Sequence, residues 1–151
     1  MRFARFAFAL LGLSAVLVAA DPFVGTWKLN LAKSKYKSGA KPKGQTATIS
    51  ESGNDVDVIL SSTFDDDTSF TWHYTIPAHG GQGKVIDMPY DGVTSKWIAA
   101  NEREVQYLKD GKTVITGHSK LSANRNTLTS NVTGVDMQGN PIDFIAVYDR
   151  Q

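Results

Sequence analysis

Three histidines, His73, His79 and His118, are the side chains of this 151-residue sequence best suited to metal ligation or to proton transfer near neutral pH. Their spacing argues against both. No two of them stand four apart, as the helical ligands of a zinc protease do, and the chain has no cysteine to complete a mixed Cys–His set. His73 falls on the outward face of its segment, where a solvated imidazole is the plain expectation. Covalent chemistry lacks parts as well: there is no thiol nucleophile and no Gly-x-Ser-x-Gly elbow. The carboxylates lie mostly in turn clusters, so nothing marks an acid–base pair. Asp65-Asp66-Asp67 lacks the alternating ligands and the glycine of a calcium loop. The stretch His79-Gly80-Gly81-Gln82-Gly83-Lys84-Val85 fails as a phosphate loop, because Ala78 stands where a glycine is needed and Val85 where Ser or Thr is. It reads as a flexible turn. The residues imply a non-enzyme without metal or cofactor.

What recurs instead is aromatic residues two apart, a pattern suited to lining an apolar cavity. In TSFTWHYTI (68–76), Phe70, Trp72, Tyr74 and Ile76 share one side, and Ser69, Thr71, His73 and Thr75 the other. In the last segment Ile142, Phe144, Ala146 and Tyr148 oppose Pro141, Asp143, Ile145, Val147 and Asp149. A pleated strand turns successive side chains to opposite faces, so each set faces one way. The aromatic sets are assigned inward, with Val105 and Tyr107 on a third strand. Trp72, Tyr74, Trp97, Tyr107, Phe144 and Tyr148 are the candidate ligand-binding residues; the tyrosines would add a few polar groups to an apolar wall. The alternative is that these rings simply fill the interior.

The elements that must position them are short and β-rich. Runs near 24–31, 45–51, 55–63, 68–76, 84–88, 93–100, 103–108, 112–121, 126–135 and 141–149 alternate with turns such as Ser52-Gly53-Asn54, Tyr90-Asp91-Gly92, Lys109-Asp110-Gly111 and Gln138-Gly139-Asn140. Asp-Gly and Asn-bearing turns suit tight hairpins because those residues tolerate positive φ. Eight to ten strands joined this way predict an all-β fold, a single up-and-down antiparallel barrel. No linker, repeat or low-complexity tract interrupts it.

The N-terminus reads as a secretory signal. Arg2 and Arg5 precede an apolar run from Phe6 to Val18, and Val18-Ala19-Ala20 offers small residues for cleavage after Ala20. The run is short for a membrane span, which needs roughly 20 residues. The expected domains are therefore a signal peptide, 1–20, and one barrel, 21–151, secreted or periplasmic; the absence of cysteine suits a bacterial periplasm. Losing Arg2 and Arg5 from sixteen basic side chains leaves fourteen against fifteen acidic ones, no field to attract nucleic acid. Lys28, Lys33, Lys35, Lys37, Lys41 and Lys43 form a run without an acid between Thr26 and Ser50. It reads as a solvated segment guarding a strand edge, with steering of an anionic ligand or contact with an anionic surface as the alternative.

Phe23-Val24-Gly25-Thr26-Trp27-Lys28-Leu29 resembles the first strand of the calycins, the lipocalins and fatty-acid-binding proteins, which share a Gly-x-Trp signature at the start of the barrel. The chain is also similar to secreted lipocalin-like proteins of bacteria. The resemblance implies that Phe23, Gly25 and Trp27 form the closing strand and that Arg150 stacks over Trp27. The ending Ala146-Val147-Tyr148-Asp149-Arg150 is similar to the last strand of fatty-acid-binding proteins, with two departures. Ala146 stands where that family places its carboxylate-gripping Arg, and only about 13 residues, Ala32 to Gly44, replace its helical lid. They are expected to form a loop. The expected function is reversible binding of a small hydrophobic or amphipathic molecule by a monomer. Ranked second is a filled scaffold that binds a protein partner, as inhibitor-like barrels do.

Overall fold

The computed structural model describes residues 20–151, so the signal-peptide reading of residues 1–20 lies outside the described residues apart from the exposed Ala20. The described chain is all-β. Twelve strands run β1 (Gly25–Leu29), β2 (Lys35–Ser38), β3 (Gly44–Ser52), β4 (Asp55–Thr63), β5 (Ser69–Pro77), β6 (Gly81–Gln82), β7 (Lys84–Asp87), β8 (Gly92–Ala99), β9 (Glu102–Lys109), β10 (Lys112–Leu121), β11 (Thr127–Val135) and β12 (Pro141–Arg150). All pair antiparallel in one sheet, ordered β6-β8-β9-β10-β11-β12-β1-β3-β4-β5-β7. The sheet curls into a nearly closed up-and-down barrel. The expected strands are present, and among the described residues no helix covers an end.

The sheet's two outer members lie in one segment. At residues 81–82 the chain pairs with β8, through Gly81 opposite Ser95 and Gln82 opposite Thr94. Two residues on it pairs with β5, through Lys84 opposite Thr75 and Val85 opposite Tyr74. The crossing is at Gly83, whose amide donates to the Val93 carbonyl at 2.8 Å. A Cβ at Gly83 would strike the Thr75 carbonyl oxygen, so only glycine lets the strand squeeze between its two neighbours. The stretch 79–85, read from sequence as a flexible turn, is thus the stitch across the barrel seam.

A second difference lies in Ala32–Gly44. This segment is not wholly loop: β2 pairs with β12 beyond the point where β1 leaves it, with Tyr36 opposite Phe144. The turn at 30–34 clamps the outer side of β12. The Asn30 amide donates to the Val147 carbonyl at 2.7 Å, and the Val147 amide donates to Ser34 Oγ at 2.9 Å. Val147 faces outward, as its alternation requires, yet is buried.

The core fills one end of the barrel. Phe23, Trp27, Leu29, Leu121, Leu128 and Ala146 cluster there, with Trp27 wholly buried. Burying such side chains contributes about 1.5–3 kcal/mol each before entropy is counted. Trp27 Nε1 donates to the Phe23 carbonyl at 2.9 Å, satisfying its one polar atom. A second cluster, Val56, Val58, Tyr74, Ile76 and Val93, packs the wall on the β4–β5 and β8 side.

Candidate functional site

The other end is open. A cavity of about 640 Å³ runs into the barrel from the end that carries the connections after β2, β4, β7 and β11. Strand alternation builds its walls. Trp72, Tyr74, Tyr107, Phe144 and Tyr148, five of the six residues assigned from sequence, line it. Trp97 does not. It belongs to the closed end, where its ring packs 5.7 Å from Phe23, its Nε1 donates to the Ala78 carbonyl at 2.8 Å, and the Arg103 guanidinium lies 4.0 Å above it. Period-two alternation fixes the face of a residue but not its depth along the barrel, which is why Trp97 was grouped with the cavity.

The rings form a continuous surface. Phe64 tilts against Phe70 at 5.6 Å, Phe70 stacks on Trp72 at 4.7 Å, and Trp72 meets both Tyr90 and Tyr107 edge-on. Tyr90 stacks on Tyr107 at 5.4 Å, and Tyr107 meets Tyr74 at 5.5 Å. Tyr36 stacks on Phe144 at 5.0 Å in another part of the lining. Each such pair contributes about 0.5–1.5 kcal/mol beyond area burial and fixes the rings in place. Sequence reasoning missed Tyr90, Tyr36 and Phe64 because they sit in connections or in the short β2. Tyr90 comes from a turn cluster whose composition signals only a turn, yet it is buried against the seam.

Below Asp136 at the mouth, the polar side chains of the wall are neutral and bonded to one another or to a buried neighbour. Tyr107 Oη donates to Tyr74 Oη at 3.1 Å. Tyr148 Oη donates to Gln45 Oε1, and Gln45 Nε2 donates to Ser62 Oγ at 2.5 Å. Ser119 and Ser130, opposite each other on β10 and β11, share a hydrogen bond of 2.7 Å. Burial pushes the phenol pKa of Tyr74, Tyr107 and Tyr148 above the ordinary value near 10, so all three stay protonated in neutral solution. Ala146, at the position where a carboxylate-binding Arg would be expected, is fully buried in the closed-end cluster.

The signature residues close the opposite end. Arg150 lies over the Trp27 ring at 4.1 Å, and Arg103 pairs with Asp21.

The histidines do not converge. His73 Nε2 bonds Asp57 at 2.8 Å across β4 and β5, His118 sits 3.3 Å from Glu102, and His79 is exposed in the turn after β5. Among the described residues no group of three or more His, Asp or Glu side chains comes within reach of one metal ion. Of the lysine run, Lys33, Lys37 and Lys43 pair with Asp149, Asp143 and Asp67 on the surface, where such pairs contribute little. Asp66 caps its own turn by accepting from the Thr68 amide and hydroxyl, which lowers its pKa.

No family model and no curated protein matches the sequence. The solved structures similar in shape to this chain include the following three. The zebrafish ileal bile acid-binding protein complexed with cholic acid gives a TM-score of 0.48 at 10% identity, covering 86% of this chain and 99% of that one. The siderocalin Ex-FABP gives 0.45 at 12%, covering 86% and 71%. Apocrustacyanin C2 gives 0.43 at 10%, covering 87% and 62%. The architecture is assigned from the chain's own strand order and cavity: a nearly closed, antiparallel up-and-down β-barrel open at one end.

Proposed function

We propose that this chain is a secreted or periplasmic, non-enzymatic barrel that reversibly binds a small hydrophobic or amphipathic molecule, acting as a monomer. The observation that carries the reading is the cavity of about 640 Å³, aromatic-walled and reached from one end. That volume falls in the range of small-molecule sites, roughly 300–1,000 Å³. A filled scaffold acting through a protein partner would need no such space, so the cavity favours the carrier reading over it. Trp72, Tyr74, Tyr107, Phe144 and Tyr148 are the proposed contact residues, joined by Tyr90 and Phe70. Export is supported by Arg2, Arg5, the apolar run and the small residues before Asp21.

Titration with the uncharged dye Nile red tests the reading. Saturable one-to-one binding with a blue-shifted, enhanced emission is expected, and Trp72→Ala should weaken it about tenfold. A dye that stays in water-like surroundings at every protein concentration would oppose it.

A further inference from the structure

The walls carry information about charge. Among the described residues that line the cavity there is no Lys, Arg or His. Arg103 is committed elsewhere: its guanidinium lies over the Trp97 ring and beside Phe23 and is paired with the buried Asp21 carboxylate, all away from the lining. The single lining carboxylate is Asp136, in the β11–β12 connection at the mouth. It accepts from the amides of Gln138 and Asn140 and from Asn140 Nδ2, bonds that lower its pKa and keep it ionised. An anion entering the barrel would pass this negative charge and then meet no positive one.

Beside its acceptor lone pairs, the wall keeps unspent donors. Two hydroxyls that share a hydrogen bond use one proton between them and leave the other free. The Tyr74–Tyr107 and Ser119–Ser130 pairs therefore each retain one O–H. Gln45 spends its oxygen on Tyr148 and one amide proton on Ser62, leaving its second N–H. The phenols are held protonated by burial, so they remain able to donate.

We propose that the cavity selects uncharged ligands presenting hydrogen-bond acceptors, such as the carbonyl of an apolar ester, ketone or aldehyde, and discriminates against the matching carboxylates. This rests on the carrier reading above and adds a ligand class to it. A neutral carbonyl exchanges water for wall donors at modest cost. A carboxylate must give up far stronger hydration without a cation to replace it.

A matched ligand set tests it: methyl retinoate, retinoate and the hydrocarbon of the same polyene skeleton, each titrated into the purified protein and followed by quenching of tryptophan fluorescence. Methyl retinoate is expected to bind at least tenfold more tightly than retinoate, and more tightly than the hydrocarbon. Retinoate binding as well as its ester would overturn the selectivity and leave the carrier reading standing. Failure of all three would overturn both. In a folded Ser130→Lys variant, the new cation should shift the ester-to-acid affinity ratio at least tenfold toward the acid; an unchanged ratio would show that charge is not what the wall reads.

Discussion

The Arg150 guanidinium lies 4.1 Å from the centre of the Trp27 ring and closes the barrel floor over it. The contact joins the last strand to the first. Its Nε donates to the Arg125 carbonyl at 2.7 Å, Nη1 to Val24 at 2.7 Å and Nη2 to Pro22 at 3.1 Å. One side chain thus ties three chain segments around the signature tryptophan. Arg150→Ala should lower stability by about 2 kcal/mol, or roughly 6–8 °C in Tm at this size, through lost cation–π and hydrogen-bond energy. Ligand affinity should not change, because the cavity is at the other end. Thermal unfolding followed by circular dichroism reads the first, and an unchanged Tm would contradict the role.

Gly25 belongs to the same device. Its φ of 147° is one that side chains rarely adopt, and a Cβ there would collide with Arg150 Nη1. Gly25→Ala is expected to cost about 1–3 kcal/mol. In an Arg150→Ala background part of that cost should vanish, since the collision partner is gone. Chemical unfolding of the four proteins measures this coupling.

Asp21 and Arg103 form the second lock of the floor. The two side chains are 5% and 4% exposed and meet at 2.5 Å, and the Arg103 guanidinium lies over Trp97 with Phe23 beside it. Removing one partner leaves a buried charge alone. Asp21→Ala should destabilise by about 3–5 kcal/mol, whereas Asp21→Ala with Arg103→Met should recover much of the loss. Urea midpoints of both single variants and the double variant decide it; losses that simply add in the double variant would show that the pair is not coupled.

Alternation along the chain made the walls readable but not the plug. Trp72, Tyr74, Phe144 and Tyr148 declare their face because neighbours one residue away are polar, or alternate with them on a regular strand. Trp97 shares that property and was placed in the cavity, although the barrel places it in the floor under Arg103. Depth is set by strand stagger, which depends on long-range register. Tyr90 and Tyr36 were silent for another reason: one sits in a turn and the other in a four-residue strand, too short for a period to show. The seam at Gly83 depends on two pairings on opposite sides of one segment, and no local pattern encodes that.

This distinction between floor and wall yields a direct prediction. Trp97→Phe should leave ligand affinity within about twofold of the parent, whereas Tyr107→Ala should weaken it about tenfold by removing the ring on which Tyr90, Trp72 and Tyr74 converge. Nile red titration of both variants measures this. The opposite order would return Trp97 to the site and displace Tyr107 from it.

The buried phenols set an alkaline limit. Their pKa values lie above 10 in the folded barrel and near 10 in the unfolded chain, so the protonated form is favoured by folding. Their stabilising contribution is complete below pH about 10 and is lost as pH climbs from there toward the folded values. Urea midpoints should therefore fall steeply above pH 10, and Tyr107→Phe should flatten the fall. Phenolate absorbance that rises near pH 10 for all five tyrosines, before any unfolding, would contradict the burial of these hydroxyls.

The central claim is that the cavity holds a small molecule in the cell. Native mass spectrometry of the protein purified from an exporting host, followed by extraction and identification of what is bound, tests it most directly. The account predicts a one-to-one adduct, released by organic solvent, whose molecule is uncharged and carries a carbonyl or another acceptor. A clean apo mass that does not shift when the protein is offered esters, aldehydes and hydrophobic dyes would contradict it and turn attention to a protein partner.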